Sequence, residues 1–180
     1  MKTLTLLRHA KSTWDDPVAR DFDRPLNPRG RRAARTLGSA MKAQGLRFDR
    51  ILASPARRVV ETLEEIGAAF GPLEPEFDER LYLASTETLL EIVRQCDDRA
   101  NRLLLVGHNP GLEMLALRLT KAEARGLRDE VEIKYPTGTL AEIGLPADSW
   151  PRVRERSGTL ARFIRPRDLD PGLGPDEDSG

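Results

Sequence analysis

Residues 4–9 read Leu-Thr-Leu-Leu-Arg-His, an apolar run that ends in a histidine. Residues 103–108, Leu-Leu-Leu-Val-Gly-His, have the same form, and the 180-residue chain has 2 histidines in all. Short apolar runs of this kind predict buried parallel strands. Because ligands bind beyond the carboxyl ends of such strands, we expect His9 and His108 to face one crevice. There an imidazole can act as nucleophile, acid or base; the alternative is that both are structural, hydrogen-bonded histidines.

Helical and extended patterns alternate around these two runs and predict an α/β protein. Strands are expected at residues 3–8, 50–53, 102–106, 139–143, 153–156 and 159–164, with a weaker extended segment at 76–83. Helices are expected at 28–44, 55–70, 86–96 and 112–119. This order favours a single-domain three-layer sandwich, a mostly parallel central sheet with helices on both faces. The domain is predicted to span residues 1–165, and the Pro-, Gly- and Asp-rich segment 166–180 to be a flexible C-terminal tail.

Composition excludes several classes of protein. Lys plus Arg and Asp plus Glu number 29 each, so the net charge is zero and no nucleic-acid partner is indicated. No run approaches the roughly 20 apolar residues of a membrane span, and there is no signal-peptide pattern, so we expect a cytoplasmic protein without a membrane partner. The single cysteine, Cys96, allows no intrachain disulfide and is expected to be a packed thiol. Without HxH, HExxH or CxxC spacing, neither a metal site nor a cofactor is expected.

Arginines accompany the histidines at the predicted crevice. Arg8 precedes His9, and residues 54–58, Ser-Pro-Ala-Arg-Arg, open the helix that follows the strand at 50–53, with Ser54 as the expected N-cap. A guanidinium suits phosphate, and a helix N-terminus favours anions. Taken singly, these arginines are as consistent with surface charges. Together with both histidines they predict an anion site, with a phosphoryl group as the natural anion.

Three segments, in order along the chain, resemble the signatures of the histidine phosphatase superfamily, which includes the phosphoglycerate mutases. Residues 7–10, Leu-Arg-His-Ala, resemble its Arg-His-Gly motif, and residues 54–62, Ser-Pro-Ala-Arg-Arg-Val-Val-Glu-Thr, its Ser-Pro-x-x-Arg-Ala-x-Gln-Thr segment. Residues 106–108, Val-Gly-His, resemble the motif of its second histidine. The resemblance covers residues 2–165, implies a phosphoglycerate mutase-like fold and selects Arg58 rather than Arg57 as the pocket arginine.

Within that superfamily the chain is most similar to the SixA-type phosphohistidine phosphatases. The similarity rests on Ala10 in place of glycine, on the loop Arg24-Pro25-Leu26, on the turn Gly107-His108-Asn109-Pro110 and on the short length. The resemblance implies that His9 attacks phosphorus and becomes phosphohistidine, which water then hydrolyses without a metal. It also implies that Arg8, Arg58 and a protonated His108 neutralise the phosphoryl oxygens.

The remaining site residues are expected with less support from the motifs. Arg8 and Arg58 are predicted to bind substrate, and Ser12 to donate a further hydrogen bond to phosphate. Many relatives carry a carboxylate that protonates the leaving oxygen; Glu79 is the best candidate here and Asp78 the next, although both are equally consistent with surface charges. SixA-type enzymes resemble one another in lacking a clear acid, and an imidazole leaving group needs less acid help than an alkoxide.

Three functions stay open at this point. The first is a phosphatase that acts on phosphohistidine in a phosphorylated protein, and the second is a small-molecule phosphomonoesterase. The third is a catalytically silent phosphate-binding module, against which the presence of Arg8, His9, Arg58 and His108 argues. A shallow open pocket would favour a protein substrate, and a deep lidded one a metabolite. The sequence does not determine the oligomeric state, with a monomer favoured.

Overall fold

The computed structural model describes residues 1–15, 20–123 and 126–174 of the chain. Within them a single sheet is built from β1 (Lys2–Arg8), β2 (Arg50–Ala53), β3 (Glu76–Phe77), β4 (Arg102–Gly107), β5 (Leu140–Leu145) and β6 (Thr159–Ile164). The strand order is β3-β2-β4-β1-β5-β6. Strands β3, β2, β4 and β1 run parallel, whereas β5 is antiparallel to both of its neighbours. The predicted mostly parallel α/β sheet is confirmed.

Helices cover both faces of this sheet, which confirms the three-layer arrangement. They are α1 (Pro28–Ala43), α2 (Arg57–Phe70), α3 (Thr86–Arg94), α4 (Gly111–Leu119), α5 (Leu127–Ile133) and α6 (Pro166–Leu169). Side chains of α1 and α2 fill the core on one face, and those of α3, α4 and α5 the core on the other. Along β4, Leu103 and Leu105 enter one core while Leu104 and Val106 enter the other. Because both faces of this strand are buried, none of its side chains needs to be polar, which explains its continuous apolar run.

Helix α1 begins where the sequence predicts and fixes the loop that follows β1. The Asn27 side chain accepts a hydrogen bond from the Gly30 amide at 2.7 Å, and Pro28 occupies the first helical position. A Cβ at Gly30 would collide with the carbonyl oxygen of Lys11. Only glycine therefore lets the backbone just beyond His9 lie directly on the first turn of α1.

The predicted strand at 153–156 is absent, and this expectation is wrong. A 3₁₀ turn at Trp150–Arg152 comes first, and residues 155 and 156 form a turn. The buried Trp150 decides the local path, since its indole N–H donates to the Ala100 carbonyl at 2.8 Å and its amide to Asp98 at 2.8 Å. These long-range contacts outweigh the extended propensity of the segment.

The chain beyond residue 165 differs from the expected flexible tail over part of its length. Helix α6 packs against α1, and Leu173 in the following 3₁₀ turn is buried. Residues 175–180 of the predicted tail lie outside the described residues. Over residues 1–15, 20–123 and 126–174, the helices all fall short of the length and apolar character that crossing a membrane requires.

Candidate active site

Three neighbouring strands, β2, β4 and β1, bring the predicted site residues to one edge of the sheet. The amide of His9 donates to the Gly107 carbonyl at 3.1 Å, and the amide of Ser54 to the Val106 carbonyl at 3.0 Å, so the strand ends lie level. The ring centroids of His9 and His108 are 5.3 Å apart. Helix α2, which follows β2, places the buried Arg58 in contact with both rings.

His9 is buried, and its hydrogen bonds define which ring nitrogen is free to react. Its Nδ1 lies 2.7 Å from the carbonyl oxygen of Ala10, which can only accept, so Nδ1 carries the proton. Nε2 therefore keeps its lone pair, and the Arg58 Nε–H donates to it at 3.3 Å. Burial lowers the pKa of His9 well below its usual value. The neutral ring with an unprotonated Nε2 is the nucleophilic form of histidine.

His108 is held in the opposite tautomer. Arg58 Nη2 donates to its Nδ1 at 3.2 Å, since a guanidinium can only donate, and its Nε2–H donates to the Ser54 hydroxyl at 2.8 Å. Burial, reinforced by the positive charge of Arg58, lowers the pKa of His108 to about 3. In this state His108 is neutral and its Nδ1 lone pair accepts the Arg58 hydrogen bond; an anion bound beside the ring would raise its pKa.

The Arg58 guanidinium is also bound from the far side by Asp21, in the 3₁₀ turn Asp21–Asp23. Its Nη1 donates to the Asp21 carbonyl oxygen at 2.7 Å, and its Nη2 to Oδ2 of the Asp21 carboxylate at 3.1 Å. The Tyr82 hydroxyl donates to the same Oδ2, and the Tyr82 ring meets the His108 ring edge-on with centroids 5.5 Å apart. Partial burial raises the pKa of Asp21, but the Tyr82 hydrogen bond and the Arg58 charge outweigh it and bring the pKa to about 2.

Arg8 flanks the two histidines from the side of β5. It is buried, and its Nη1 donates to the Tyr135 carbonyl oxygen at 2.9 Å. The Gly138 amide lies 3.1 Å from the Arg8 carbonyl and 2.8 Å from that of His9, which fixes this backbone. The charge of Arg8 contributes to the lowered pKa of both His9 and His108. The structure thus brings Arg8, His9, Arg58 and His108 together.

Three other predicted residues lie outside this cluster. Glu79 is exposed at the start of the 3₁₀ turn Glu79–Leu81, and within the described chain it contacts neither histidine by a hydrogen bond. The carboxylate of Asp78, the second candidate acid, binds Arg80 at 2.7 Å. The hydroxyl of Ser12 is buried and accepts a hydrogen bond from Arg24. The roles given to Glu79 and Ser12 stay predictions that these contacts do not support.

Comparisons with known proteins agree with this geometry. Residues 4–82 match the model of the histidine phosphatase superfamily (branch 1). The uncharacterised protein Rv1276c of Mycobacterium tuberculosis (strain H37Rv) is 34% identical over 163 residues, which cover 89% of this chain and 100% of the relative. The chain belongs to the histidine phosphatase superfamily.

Solved structures place this histidine phosphatase with the SixA type. A SixA structure from Nakamurella multipartitia has a TM-score of 0.79 at 26% identity and covers 92% of this chain and 96% of that one. The protein histidine phosphatase SixA complexed with tungstate shares the fold, with a TM-score of 0.75 at 22% identity over 93% of this chain and 99% of that one. The family and fold that the motifs predict are confirmed, and the chain is a phosphatase of this superfamily.

Ser54, Asp21 and Tyr82 are site residues that were not predicted from the sequence. Ser54 was expected to cap α2, but α2 has Ala56 at its N-cap. The Ser54 hydroxyl accepts hydrogen bonds from the Ala56 amide at 3.3 Å and from His108 Nε2 at 2.8 Å. Ser54 follows the carboxyl end of β2, as His9 and His108 follow the ends of β1 and β4. This position could have identified Ser54 as a site residue from the sequence. Asp21 and Tyr82 lie in irregular segments without periodicity, so no local pattern could have identified them.

Proposed function

We propose that this histidine phosphatase removes the phosphoryl group from phosphohistidine in a protein, through a covalent intermediate on His9. The observation that carries the proposal is the contact of the unprotonated His9 Nε2 with Arg58 at 3.3 Å, with the ring of His108 5.3 Å from that of His9. Among the described residues, neither histidine hydrogen-bonds to a carboxylate. The site therefore has a nucleophile and cations for the phosphoryl oxygens, but no positioned carboxylic acid.

In the first step, the Nε2 lone pair of His9 forms a bond to phosphorus while the bond from phosphorus to the substrate's imidazole nitrogen breaks. Arg8, Arg58 and a protonated His108 stabilise the charge on the equatorial oxygens. The proton stays on His9 Nδ1, where it is hydrogen-bonded to the Ala10 carbonyl oxygen, and this contact stabilises the positive charge that the phosphorylated ring acquires. The departing imidazole takes a proton from solvent.

In the second step, water attacks phosphorus, the bond to His9 Nε2 breaks, and inorganic phosphate leaves. The attacking water gives up one proton to solvent or phosphate, and His9 returns to its neutral form. Because His108 is neutral in the free protein, the incoming dianion raises its pKa, and substrate binding is accompanied by uptake of one proton. The cationic His108 then serves both steps.

The absence of a positioned acid favours phosphohistidine over alkyl phosphates. A positioned acid typically contributes on the order of 10² to 10⁴ in rate, and this help matters most when a strongly basic alkoxide leaves. An imidazole is a much weaker base, so its departure loses least when the acid is missing. A small phosphomonoester is the competing substrate class, and relative turnover distinguishes the two.

The test compares specificity constants for a phosphohistidine protein and for a serine or sugar phosphate. We expect the phosphohistidine protein to be clearly preferred, and rapid quench to trap phosphate on His9. His9→Ala should abolish turnover, whereas His108→Ala should lose less, because electrostatic help is partial. Tungstate binding by His9→Ala serves as the control for an intact pocket. Equal or better turnover of the alkyl phosphate would instead favour the small-molecule reaction.

A further inference from the structure

A basic cleft opens on the surface next to the nucleophile. Its rim includes Lys11, Arg29, Arg165 and Arg167, and its floor is apolar, with Pro136 and Leu173. The cations come from the loop after β1, from the first turn of α1 and from the start of α6. The chain thus gathers distant arginines at one place, although its net charge is zero.

The cleft and the nucleophile share one stretch of backbone. Lys11 follows His9 by two residues, and Pro136 precedes Gly138, whose amide lies 2.8 Å from the His9 carbonyl oxygen. A Cβ at Gly138 would come within 3.2 Å of Pro166, the first residue of α6. Because β1 and β6 are parallel in the sheet, their carboxyl ends, with His9 and α6, lie on the same edge. The cleft and His9 therefore lie on the same edge of the sheet.

The charges around the cleft sum to a positive surface. Arg165 is neutralised by Asp168, with Nε and Nη2 bonds of 2.9 and 3.0 Å, and approaches Glu130 at 4.0 Å. Over residues 1–15, 20–123 and 126–174, Arg29 and Arg167 enter no ion pair. Clefts lined by one sign of charge raise the association rate of oppositely charged ligands.

We propose that the basic cleft binds an acidic segment of the phosphoprotein substrate next to the phosphorylated histidine, an inference that rests on the proposed function. Arg29 and Arg167 pair with its carboxylates. The phosphoryl pocket recognises a group common to all phosphohistidines. Charge complementarity at the cleft therefore supplies selectivity among proteins, mostly through the association rate.

The variant Arg29→Glu/Arg167→Glu tests this inference, with Arg154→Glu as the control. Arg29 and Arg167 lie in the first turns of α1 and α6, where a carboxylate is compatible with the helix dipole. Arg154 is exposed in the loop before β6, at the opposite edge of the sheet. In the part of the chain that the structure describes, neither Arg29 nor Arg167 hydrogen-bonds to Arg8, His9, Arg58 or His108, so turnover of free phosphohistidine should stay unchanged.

Two readouts separate the cleft from the catalytic chemistry. The first is fluorescence anisotropy of a labelled acidic peptide, and the second is kcat/KM for phosphohistidine carried in that peptide and for the free amino acid. We expect the double variant to lose about tenfold in affinity and in kcat/KM for the peptide at low salt, and Arg154→Glu to match the wild type. The loss should shrink at about 0.2 M salt, where the Debye length falls below about 10 Å.

Each outcome bears on a different claim. Equal losses of kcat/KM for the free amino acid and the peptide, or an equal effect of Arg154→Glu, would refute the proposal that the cleft binds the substrate. If the wild type fails to turn over any phosphohistidine, the proposed function fails, while the anisotropy still decides whether the cleft binds acidic peptides. The sequence continues with Asp176, Glu177 and Asp178. If ending the chain at Gly174 raised affinity and kcat/KM for the peptide in the wild type but not in the double variant, those carboxylates rather than a substrate's would be the occupant.

Discussion

Replacing Asp21 by Asn should lower the stability of the folded protein without ligand and raise its affinity for oxyanions. The Asp21 carboxylate accepts a hydrogen bond from Arg58 Nη2 at 3.1 Å. We expect a phosphoryl oxygen bound between the histidines to use the same Nη2 group as its donor. It also places a negative charge beside a site for an anion. A bound oxyanion must therefore compete with Asp21. Asparagine keeps the shape of the side chain and an acceptor for Tyr82 but removes the charge.

The size of the effect follows from the lowered pKa of Asp21. A fall from 3.8 to about 2 corresponds to roughly 2.4 kcal/mol if taken in full. The side chain is 39% exposed, and solvent screening reduces this to about 1 kcal/mol. A carboxylate with a lowered pKa stabilises fully above its unfolded pKa, near 3.8, and loses this contribution as the pH falls towards 2. At neutral pH, Asp21→Asn should lower the melting temperature by about 2–4 °C and tighten oxyanion binding about fivefold.

Calorimetric titration with tungstate and thermal unfolding measure the two halves of this prediction. Tyr82→Phe is the matched control, because it removes one hydrogen bond from the same carboxylate without changing the charge. It should tighten tungstate binding by less than Asp21→Asn does. If Asp21→Asn bound tungstate more weakly than the wild type, Asp21 would serve to orient Arg58 for the anion, and competition would be the wrong description.

Three further predictions concern the site and its support. The pKa of His108 is near 6.5 in the unfolded protein and about 3 in the folded protein. Because the unfolded state binds the extra proton between these values, the free energy of unfolding should rise with pH across that interval, by at most about 5 kcal/mol. Urea titrations at several pH values should show a flatter rise for His108→Gln. Glu79→Gln should change kcat/KM for phosphohistidine by less than about twofold, and a loss within the 10² to 10⁴ range of a true acid would restore Glu79 to that role. Gly30→Ala should destabilise the protein by about 1–3 kcal/mol, because its Cβ collides with Lys11; Gly67→Ala, whose Cβ meets nothing within 4 Å, should be neutral or stabilising in the same thermal unfolding assay.

The parts of the fold that the sequence predicts correctly are those with strong local patterns. Strands β1 and β4 are buried on both faces, so residues 103–106 are all apolar and residues 4–7 are apolar except for Thr5. Helix α1 has both an N-cap side chain and a proline at its first position, which fixes its start. The positions of His9 and His108 follow from those strands, because parallel strands end on a common edge.

The parts that were missed depend on contacts between distant residues. Helix α5 has 7 residues, of which Val131 is the buried one, so it carries too little periodicity to be recognised. Asp21 joins the site only because Arg58 and Tyr82, 37 and 61 residues further along the chain, meet it there. The Ser54 hydroxyl accepts a local hydrogen bond from the Ala56 amide, whereas its bond to His108 depends on the position of the distant strand β4.

Strand β1 stands first in the sequence but at the middle of the sheet, and this sets the order in which the enzyme can become active during synthesis. Its neighbours are β4 and β5, so one edge of the strand has no partner until Arg102–Gly107 has been made, and the other until Leu140–Leu145 has followed. Such long-range pairing slows folding and leaves an apolar edge open to other chains. A ribosome-bound chain thus carries His9 before β4 and β5 have been made, yet the residues of the site cannot come together until both strands have emerged. Over that interval β1 is an apolar strand with unpaired edges, the kind of segment that is prone to aggregation.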